Sequence, residues 1–180
     1  MNALLGLSRA IDALNAKVGR AAYWLVLAAV LVSAGNAVSR KALGMSSNAW
    51  LELQWYLFSA VFLLCAGYTL LRDGHVRIDV LAGRLSPRAM AWVDLFGTLF
   101  FLLPMAGIFI YLSTPIFLRT LAQGEMSASA GGLLLWPARM LVPIGFSLLA
   151  LQGVSEFIKR VAFLRGLAPD PRAPRTEAPG

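Results

Sequence analysis

Apolar residues are concentrated in four long stretches, which are separated by short polar gaps. The stretches cover residues 21–38, 49–71, 89–118 and 133–157. Each has close to the ~20 apolar residues that a helix needs to cross ~30 Å of hydrocarbon. None of them shows the alternation of apolar and polar residues that a transmembrane β-barrel requires. The pattern therefore predicts an all-α integral membrane protein with four transmembrane helices.

Prolines mark the two later stretches. As a helix, the 30 residues of the third stretch would measure ~45 Å, more than a bilayer core requires. That helix must tilt, kink at Pro104 or extend into the headgroups. The fourth stretch has Pro137 near its first turn, where a missing N–H costs little, and Pro143 deeper inside.

The first 20 residues have a helical apolar stripe, formed by Leu4, Leu7, Ile11, Leu14 and Val18. The opposite face carries Ser8, Arg9, Asp12 and Asn15. This pattern predicts that residues 1–20 form a short amphipathic interfacial helix, lying flat on the cytoplasmic leaflet before the first span. Residues 21–164 then form the four-helix membrane domain. Residues 165–180 are rich in proline and are predicted to be a disordered cytoplasmic tail.

Composition agrees with a membrane protein, because only 14% of the residues are charged where soluble domains have about 25%. The formal charge of +7 does not indicate a nucleic-acid surface, since the basic residues lie in the gaps between apolar stretches. The single cysteine, Cys65, lies within an apolar stretch, which excludes an intrachain disulfide and a Cys/His metal site.

The basic residues also predict the orientation. One side of the membrane would hold twelve of them: Arg9, Lys17, Arg20, Arg72, Arg77, Arg84, Arg88, Lys159, Arg160, Arg165, Arg172 and Arg175. The other side would hold four: Arg40, Lys41, Arg119 and Arg139. Because cytoplasmic loops carry the excess of Lys and Arg, both termini are predicted to be cytoplasmic.

The most polar gap is the string "RDGHVRID", residues 72–79. It places His75, the only histidine, near Asp79, but the chain offers no nucleophile motif to act with a general base. A catalytic role is therefore disfavoured. Arg72 and Arg77 are expected to contact lipid phosphates or to set the topology. The loop is interpreted as a topological and docking element, in which Arg72, His75, Arg77 and Asp79 are candidate lipid or partner contacts.

Ionisable residues inside a membrane are candidates for function, so the depth of each matters. Glu52 lies about one turn from the extracytoplasmic end of its stretch, while Asp94 and Glu156 lie toward the cytoplasmic ends. None is placed at the midplane, where transporters hold substrates and coupling ions. These residues, with Arg139, are expected to be interfacial anchors or partner contacts. Glu52 and Arg40 are retained as candidate contacts.

Two further features concern the surface of the spans. Tryptophans lie near both ends of the stretches, as in the aromatic belts of membrane proteins: Trp24, Trp50, Trp55, Trp92 and Trp136. Ala29, Ser33 and Ala37 recur at four-residue intervals and give the first span a smooth stripe. Such stripes permit close helix packing, within the chain or against a partner.

Three strings carry a family resemblance: "NAWLELQWYLF" (48–58), "GYTLLRDGHVRIDVL" (67–81) and "GEMSASAGGLLLWPARMLVPIGFSLLALQGVSEFIKR" (124–160). Over about residues 23–160 the chain strongly resembles the small permease subunit, DctQ type, of tripartite ATP-independent periplasmic (TRAP) transporters. The "GHVRID" loop is the most recognisable mark of that family. Thr120 and Leu121 depart from the Ser-Trp pair expected in many relatives.

The resemblance implies a non-enzymatic secondary transporter in the bacterial inner membrane, in three parts. A periplasmic solute-binding protein would deliver the solute, by default an organic acid, to a large permease subunit. That subunit would hold the sodium and substrate sites, so no cofactor is expected in this chain. The small subunit would stabilise the scaffold of the large one. The implied partners are these two proteins and membrane phospholipids, with no nucleic acid.

Two other functions compete with this interpretation. The chain could be an autonomous four-helix exporter that uses Glu52 as a proton carrier, but such a carboxylate should lie near the membrane centre. A membrane enzyme with its site in the His75 loop is the weaker alternative.

Overall fold

The computed structural model describes residues 2–44, 47–73 and 85–171, and in these ranges every regular element is a helix. The helices are α1 (Asn2–Leu43), α2 (Asn48–Leu71), α3 (Pro87–Gly97), α4 (Leu103–Gln123) and α5 (Trp136–Leu164), with a π-helical turn at Thr98–Leu102. Four helical segments are long and apolar enough to cross a membrane: α1, α2, the run Pro87–Gln123 and α5. The predicted all-α fold with four membrane-spanning helices is confirmed.

Most of the helix ends have a recognisable local cause. Ser47 and Ser86 are N-caps, and their hydroxyls accept the backbone N–H of Ala49 and Ala89, each at 3.3 Å. Pro87 follows in the first turn of α3, where its missing N–H costs little. Helix α4 ends at Gly124, whose left-handed backbone (φ +59°) is the usual conformation of a helix stop.

Helix α1 contains both the amphipathic stretch, at residues 2–20, and the first span. It continues without a break through residue 20, and its 42 residues make a helix of ~63 Å, about twice the hydrocarbon thickness. The polar positions Ser8 and Asn15 are almost completely buried, because α5 packs against them. An amphipathic pattern shows that a helix has two faces, but it does not show which face meets a neighbouring helix.

The third span adapts to its proline through a π-helical turn. Pro104 lies in the first turn of α4, directly after the turn at Thr98–Leu102. There the backbone N–H of Leu103 bonds to the carbonyl of Thr98, five residues earlier. A wider turn gives room to the proline ring, which has no N–H to donate. The sequence predicts that this span tilts, kinks at Pro104 or extends into the headgroups. The structure has a π turn directly before Pro104.

Helix α5 is the centre of the bundle and packs against α1, α2, α3 and α4. Glycines permit the closest approaches. A Cβ atom on Gly145 would lie 2.7 Å from the carbonyl oxygen of Leu63, and one on Gly67 would lie 3.0 Å from that of Leu148. Any larger residue would push α2 away from α5. Large side chains such as Phe62 and Tyr111 point outward and are 78% and 77% exposed, as expected for surfaces that face lipid.

Candidate functional site

The first group of polar side chains, here called the α1–α5 cluster, joins the first half of α1 to the second half of α5. Its members are Ser8, Asp12, Asn15, Asp94, Gln152, Ser155, Glu156, Lys159 and Arg160. The Asn15 amide donates to the Gln152 side-chain oxygen at 3.0 Å, and the Ser8 and Ser155 hydroxyls lie 2.7 Å apart. These four side chains are at most 2% exposed, so each depends on partners inside the protein.

Asp12 is the charged centre of this cluster. Its carboxylate accepts hydrogen bonds from the Ser155 hydroxyl at 2.7 Å, the Gln152 amide at 2.9 Å and the Lys159 ammonium at 3.1 Å. Lys159 also pairs with Glu156 at 2.5 Å. Hydrogen bonds to ionised groups are about twice as strong as neutral ones. One side chain of α1 is therefore held by three side chains of α5.

An ion pair ties α3 to the same part of α5. The Arg160 Nε atom lies 3.1 Å from an Asp94 carboxylate oxygen, and the two side chains are 7% and 16% exposed. A second Arg160 nitrogen lies 3.7 Å from Glu156. The sequence suggested that Asp94 and Glu156 anchor the protein at the interface or meet a partner. The structure pairs both within the chain.

The second group, here called the loop cluster, surrounds residues 124–135 between α4 and α5. The loop is folded back on itself: Met126 and Leu134 form an isolated β-bridge. The Ser127 N–H donates to the Leu133 carbonyl and the Leu135 N–H donates to the Glu125 carbonyl, each at 2.9 Å. The loop thus has a defined backbone shape.

Three residues on one face of α2 hold this loop. Glu52 accepts the Leu133 N–H at 2.7 Å on one carboxylate oxygen and the Ser127 hydroxyl on the other. One turn earlier, the Asn48 amide donates to the Ala130 carbonyl at 3.0 Å. One turn later, the Tyr56 hydroxyl donates to the Leu134 carbonyl at 3.0 Å. Residues four apart lie on the same face of a helix, so Asn48, Glu52 and Tyr56 act together.

The start of the loop is fixed to α5. The Arg139 guanidinium makes two contacts with the Glu125 carboxylate, at 2.5 and 3.0 Å, and also donates to the Thr120 hydroxyl. The Glu125 and Arg139 side chains are 38% and 35% exposed, which distinguishes this ion pair from the one between Arg160 and Asp94. Thr120, where the sequence departs from the family pattern, is fully buried beneath this ion pair.

The other candidate contacts are scattered. Arg72 is exposed; its Nε atom donates to the Tyr68 hydroxyl at 3.1 Å, and its guanidinium lies 5.4 Å from that ring. Arg40 is exposed in the last turn of α1. The predicted contacts His75, Arg77 and Asp79 lie outside the described residues, as do residues 172–180 of the predicted disordered tail.

The small-residue stripe of α1 has no single environment. Ala29 is fully buried within the chain, Ser33 is half-buried and Ala37 is exposed. The stripe thus becomes more accessible from Ala29 toward Ala37. Sequence reasoning missed the glycine contacts of α2 and α5, and it missed both polar clusters. The signal for the α1–α5 cluster was present in two polar faces, one at Ser8, Asp12 and Asn15 and one at residues 152–159.

The two polar clusters can hold helices together, and they contain few groups that could bind a metal or catalyse a reaction. Over residues 2–44, 47–73 and 85–171, no three His, Cys, Asp or Glu side chains are grouped so that they could hold a metal ion. The carboxylates of Asp12 and Glu52 already accept hydrogen bonds from the chain's own donors. Both clusters therefore have the geometry of structural ties between helices.

The family comparison gives these ties a context. A family model described as "Tripartite ATP-independent periplasmic transporters, DctQ component" matches residues 29–163, which is more than half of the chain. No curated protein and no solved structure matches the chain. The matched residues include most of the four apolar helical segments. The chain therefore belongs to the DctQ family and is a multi-pass membrane protein, the small subunit of a tripartite ATP-independent periplasmic transporter.

Proposed function

We propose that this chain stabilises the scaffold of the large permease subunit during sodium-coupled uptake of a solute, by default an organic acid, that a periplasmic solute-binding protein delivers. The observation that carries the proposal is the use of its polar side chains. In the described residues, the two clusters join helices to one another at opposite ends of the bundle. A subunit built this way supplies a rigid packing surface, while the partner supplies the binding site.

The hydrogen bonds of Glu52 argue against the autonomous exporter. Its two carboxylate oxygens accept a backbone N–H and a hydroxyl from the loop, and it lies in the second turn of α2. A proton carrier needs a carboxylate that changes partners as the membrane sides alternate. Glu52 has the environment of a loop anchor.

The proposed orientation places both termini in the cytoplasm of a bacterial cell, with the protein in the inner membrane. Four crossings put the two termini on the same side. The excess of basic residues beside the termini and the 72–88 segment favours the cytoplasm as that side. The loop cluster then faces the periplasm, where the solute-binding protein docks, and Arg72 faces the lipid headgroups of the cytoplasmic leaflet.

Reconstitution tests the division of labour. In vesicles with an inward sodium gradient, this chain alone should give no uptake of an organic acid, and the two membrane subunits together should give little. Adding the solute-binding protein with its solute should start uptake. Uptake or proton flux by this chain alone would contradict the proposal and favour the exporter.

Orientation has its own test. A cysteine at Ser129, in the loop cluster, should react with a membrane-impermeant thiol reagent in intact cells. A cysteine at Ser86 should react only after the cells are opened. The reverse pattern would invert the proposed topology.

A further inference from the structure

An apolar groove runs along the outside of the bundle, between the third span and the end of α5. Its volume is about 510 Å³, within the range of about 300–1,000 Å³ that is usual for small-molecule sites. One wall includes Trp92, Leu99 and Phe100, and the other includes Phe157, Val161 and Arg165. Trp92 and Phe100 are 65% and 59% exposed, so the groove opens to the surroundings of the bundle.

The two walls run in opposite directions and have a fixed register. Because Asp94 on the helix of one wall pairs with Arg160 on the helix of the other, Trp92 and Arg165 lie at the same end of the groove. Phe100 is eight positions after Trp92, which corresponds to about 12 Å of helix. One leaflet contributes about 15 Å of hydrocarbon, half of the bilayer core. The groove is therefore about as long as one leaflet is deep.

A cation lies at one end of this otherwise apolar groove. Arg165 is the C-cap residue of α5, and its side chain is exposed. Among the residues that the structure describes, no carboxylate forms an ion pair with it. The matching ligand has an anionic head and one alkyl chain that extends away from it. A water-soluble anion would gain nothing from the aromatic walls, and a zwitterionic lipid would offer Arg165 a phosphate whose charge is already balanced by the lipid's own ammonium group.

We propose that this groove binds an anionic phospholipid, with the phosphate on Arg165 and an acyl chain along the wall from Trp92 to Phe100. The site lies in the leaflet that faces Arg165, which in the proposed orientation is the cytoplasmic leaflet, where anionic lipids attract basic residues. The assignment of this leaflet as cytoplasmic rests on the proposed orientation, and the binding site itself does not. The lipid is held by this chain, apart from the transport sites of the large subunit.

Trp92 provides a direct measurement, because bromine atoms on an acyl chain quench the fluorescence of a tryptophan that they contact. The full chain is reconstituted in phosphatidylcholine vesicles, and phosphatidylglycerol with brominated chains is titrated in. The Trp92 signal is the difference between the parent protein and Trp92→Phe. We expect saturable quenching of Trp92 at low mole fractions of the anionic lipid. Brominated phosphatidylcholine at the same fractions should give only weak quenching without saturation.

Two variants test the two ends of the site. Arg165→Gln should raise the half-saturating mole fraction of phosphatidylglycerol about fivefold, the contribution of one basic residue near an anionic surface. Val161→Phe should fill the groove and remove the saturable quenching. The matched control is Arg119→Gln, which changes an exposed arginine outside the groove and should leave the titration unchanged. Circular dichroism establishes that each variant is folded.

Equal quenching by the two brominated lipids would overturn the proposal, and so would a saturable signal that neither Arg165→Gln nor Val161→Phe alters. If Val161→Phe prevents co-purification with the large permease subunit and leaves lipid quenching unchanged, the groove holds a helix of that subunit and the lipid assignment is wrong. No transport is measured in the titration, so its failure is distinct from a failure of the proposed function.

Discussion

The α1–α5 cluster and the loop cluster use the same side-chain chemistry in different surroundings. In both, carboxylates receive hydrogen bonds or ion pairs from groups on another segment. The Arg160–Asp94 pair is largely buried, whereas the Arg139–Glu125 pair is more than a third exposed. A buried charge that loses its partner keeps its desolvation cost, while an exposed one is solvated again. The two ends of the bundle should therefore respond differently to similar mutations.

The largest effect is expected for Arg160→Met. The change removes the Arg160 cation from its largely buried pair with Asp94, and breaking a buried ion pair costs about 3–5 kcal/mol. The measurement is the free energy of unfolding of the purified chain in mixed micelles. Arg40→Gln, which alters an exposed arginine, should stay within about 0.5 kcal/mol of the parent. A loss below 1 kcal/mol for Arg160→Met would remove the contrast between the clusters.

A smaller loss is expected for Asp12→Ala. This change removes the acceptor for Ser155, Gln152 and Lys159, but it also removes the desolvation cost of the Asp12 carboxylate. The net loss should therefore be about 1.5–3 kcal/mol, the range for one hydrogen bond to a charged group. The first half of α1 should then separate from α5 more often. Trypsin cleavage at Lys17 and Arg20 measures that separation and should become faster. Unaltered cleavage would show that apolar contacts alone hold this segment.

At the other end, Glu52→Ala should lower the free energy of unfolding by less than Asp12→Ala does, because the two hydrogen bonds that the loop loses lie near the surface. Amide exchange at Leu133 should accelerate. Glu52→Gln keeps one oxygen to accept that N–H, so it should restore most of the protection. Transport by the complete three-part system should survive Glu52→Gln. Its complete loss, with the complex still assembled, would revive the proton-carrier hypothesis.

The smallest effect is expected for Glu125→Gln. The ion pair with Arg139 is more than a third exposed, and such pairs contribute about 0–1 kcal/mol. The difference from the parent protein should shrink further in high salt, which screens exposed charges. A loss of unfolding free energy similar to that of Arg160→Met would show that the loop cluster is as well shielded from water as the α1–α5 cluster.

The four spans could be predicted because lipid imposes one strong requirement, a long apolar helix, and hydropathy reads that requirement directly. The continuity of α1 could not be predicted with the same ease. Its polar face has the same pattern whether water or α5 lies opposite, and only the partner residues on α5 decide between them. Ser8 and Asn15 therefore looked solvent-facing in the sequence and are buried in the structure.

The candidate site was predictable only in part. Glu52 was singled out by its charge and placed near the end of its span, but its partners Ser127 and Leu133 lie in a loop whose shape depends on backbone bonds. The contacts of Gly67 and Gly145 were missed for a similar reason. A glycine in a membrane helix shows that close approach is possible, and the tertiary fold determines which backbone approaches it.

The π turn in the third span determines which side of α4 faces α5. One residue more than an α-helix needs, inserted at Thr98–Leu102, rotates the next helix by about 100° around its axis. In that phase the ring of Phe109 stacks on Phe146 of α5 at 4.3 Å, while the Arg160–Asp94 pair lies on the α3 side of the turn. Deleting one residue from the turn would leave α3 aligned with α5 and swing Phe109 toward lipid. Because of the extra residue, α3 and α4 both pack against α5, although they turn different sides of the third span toward it.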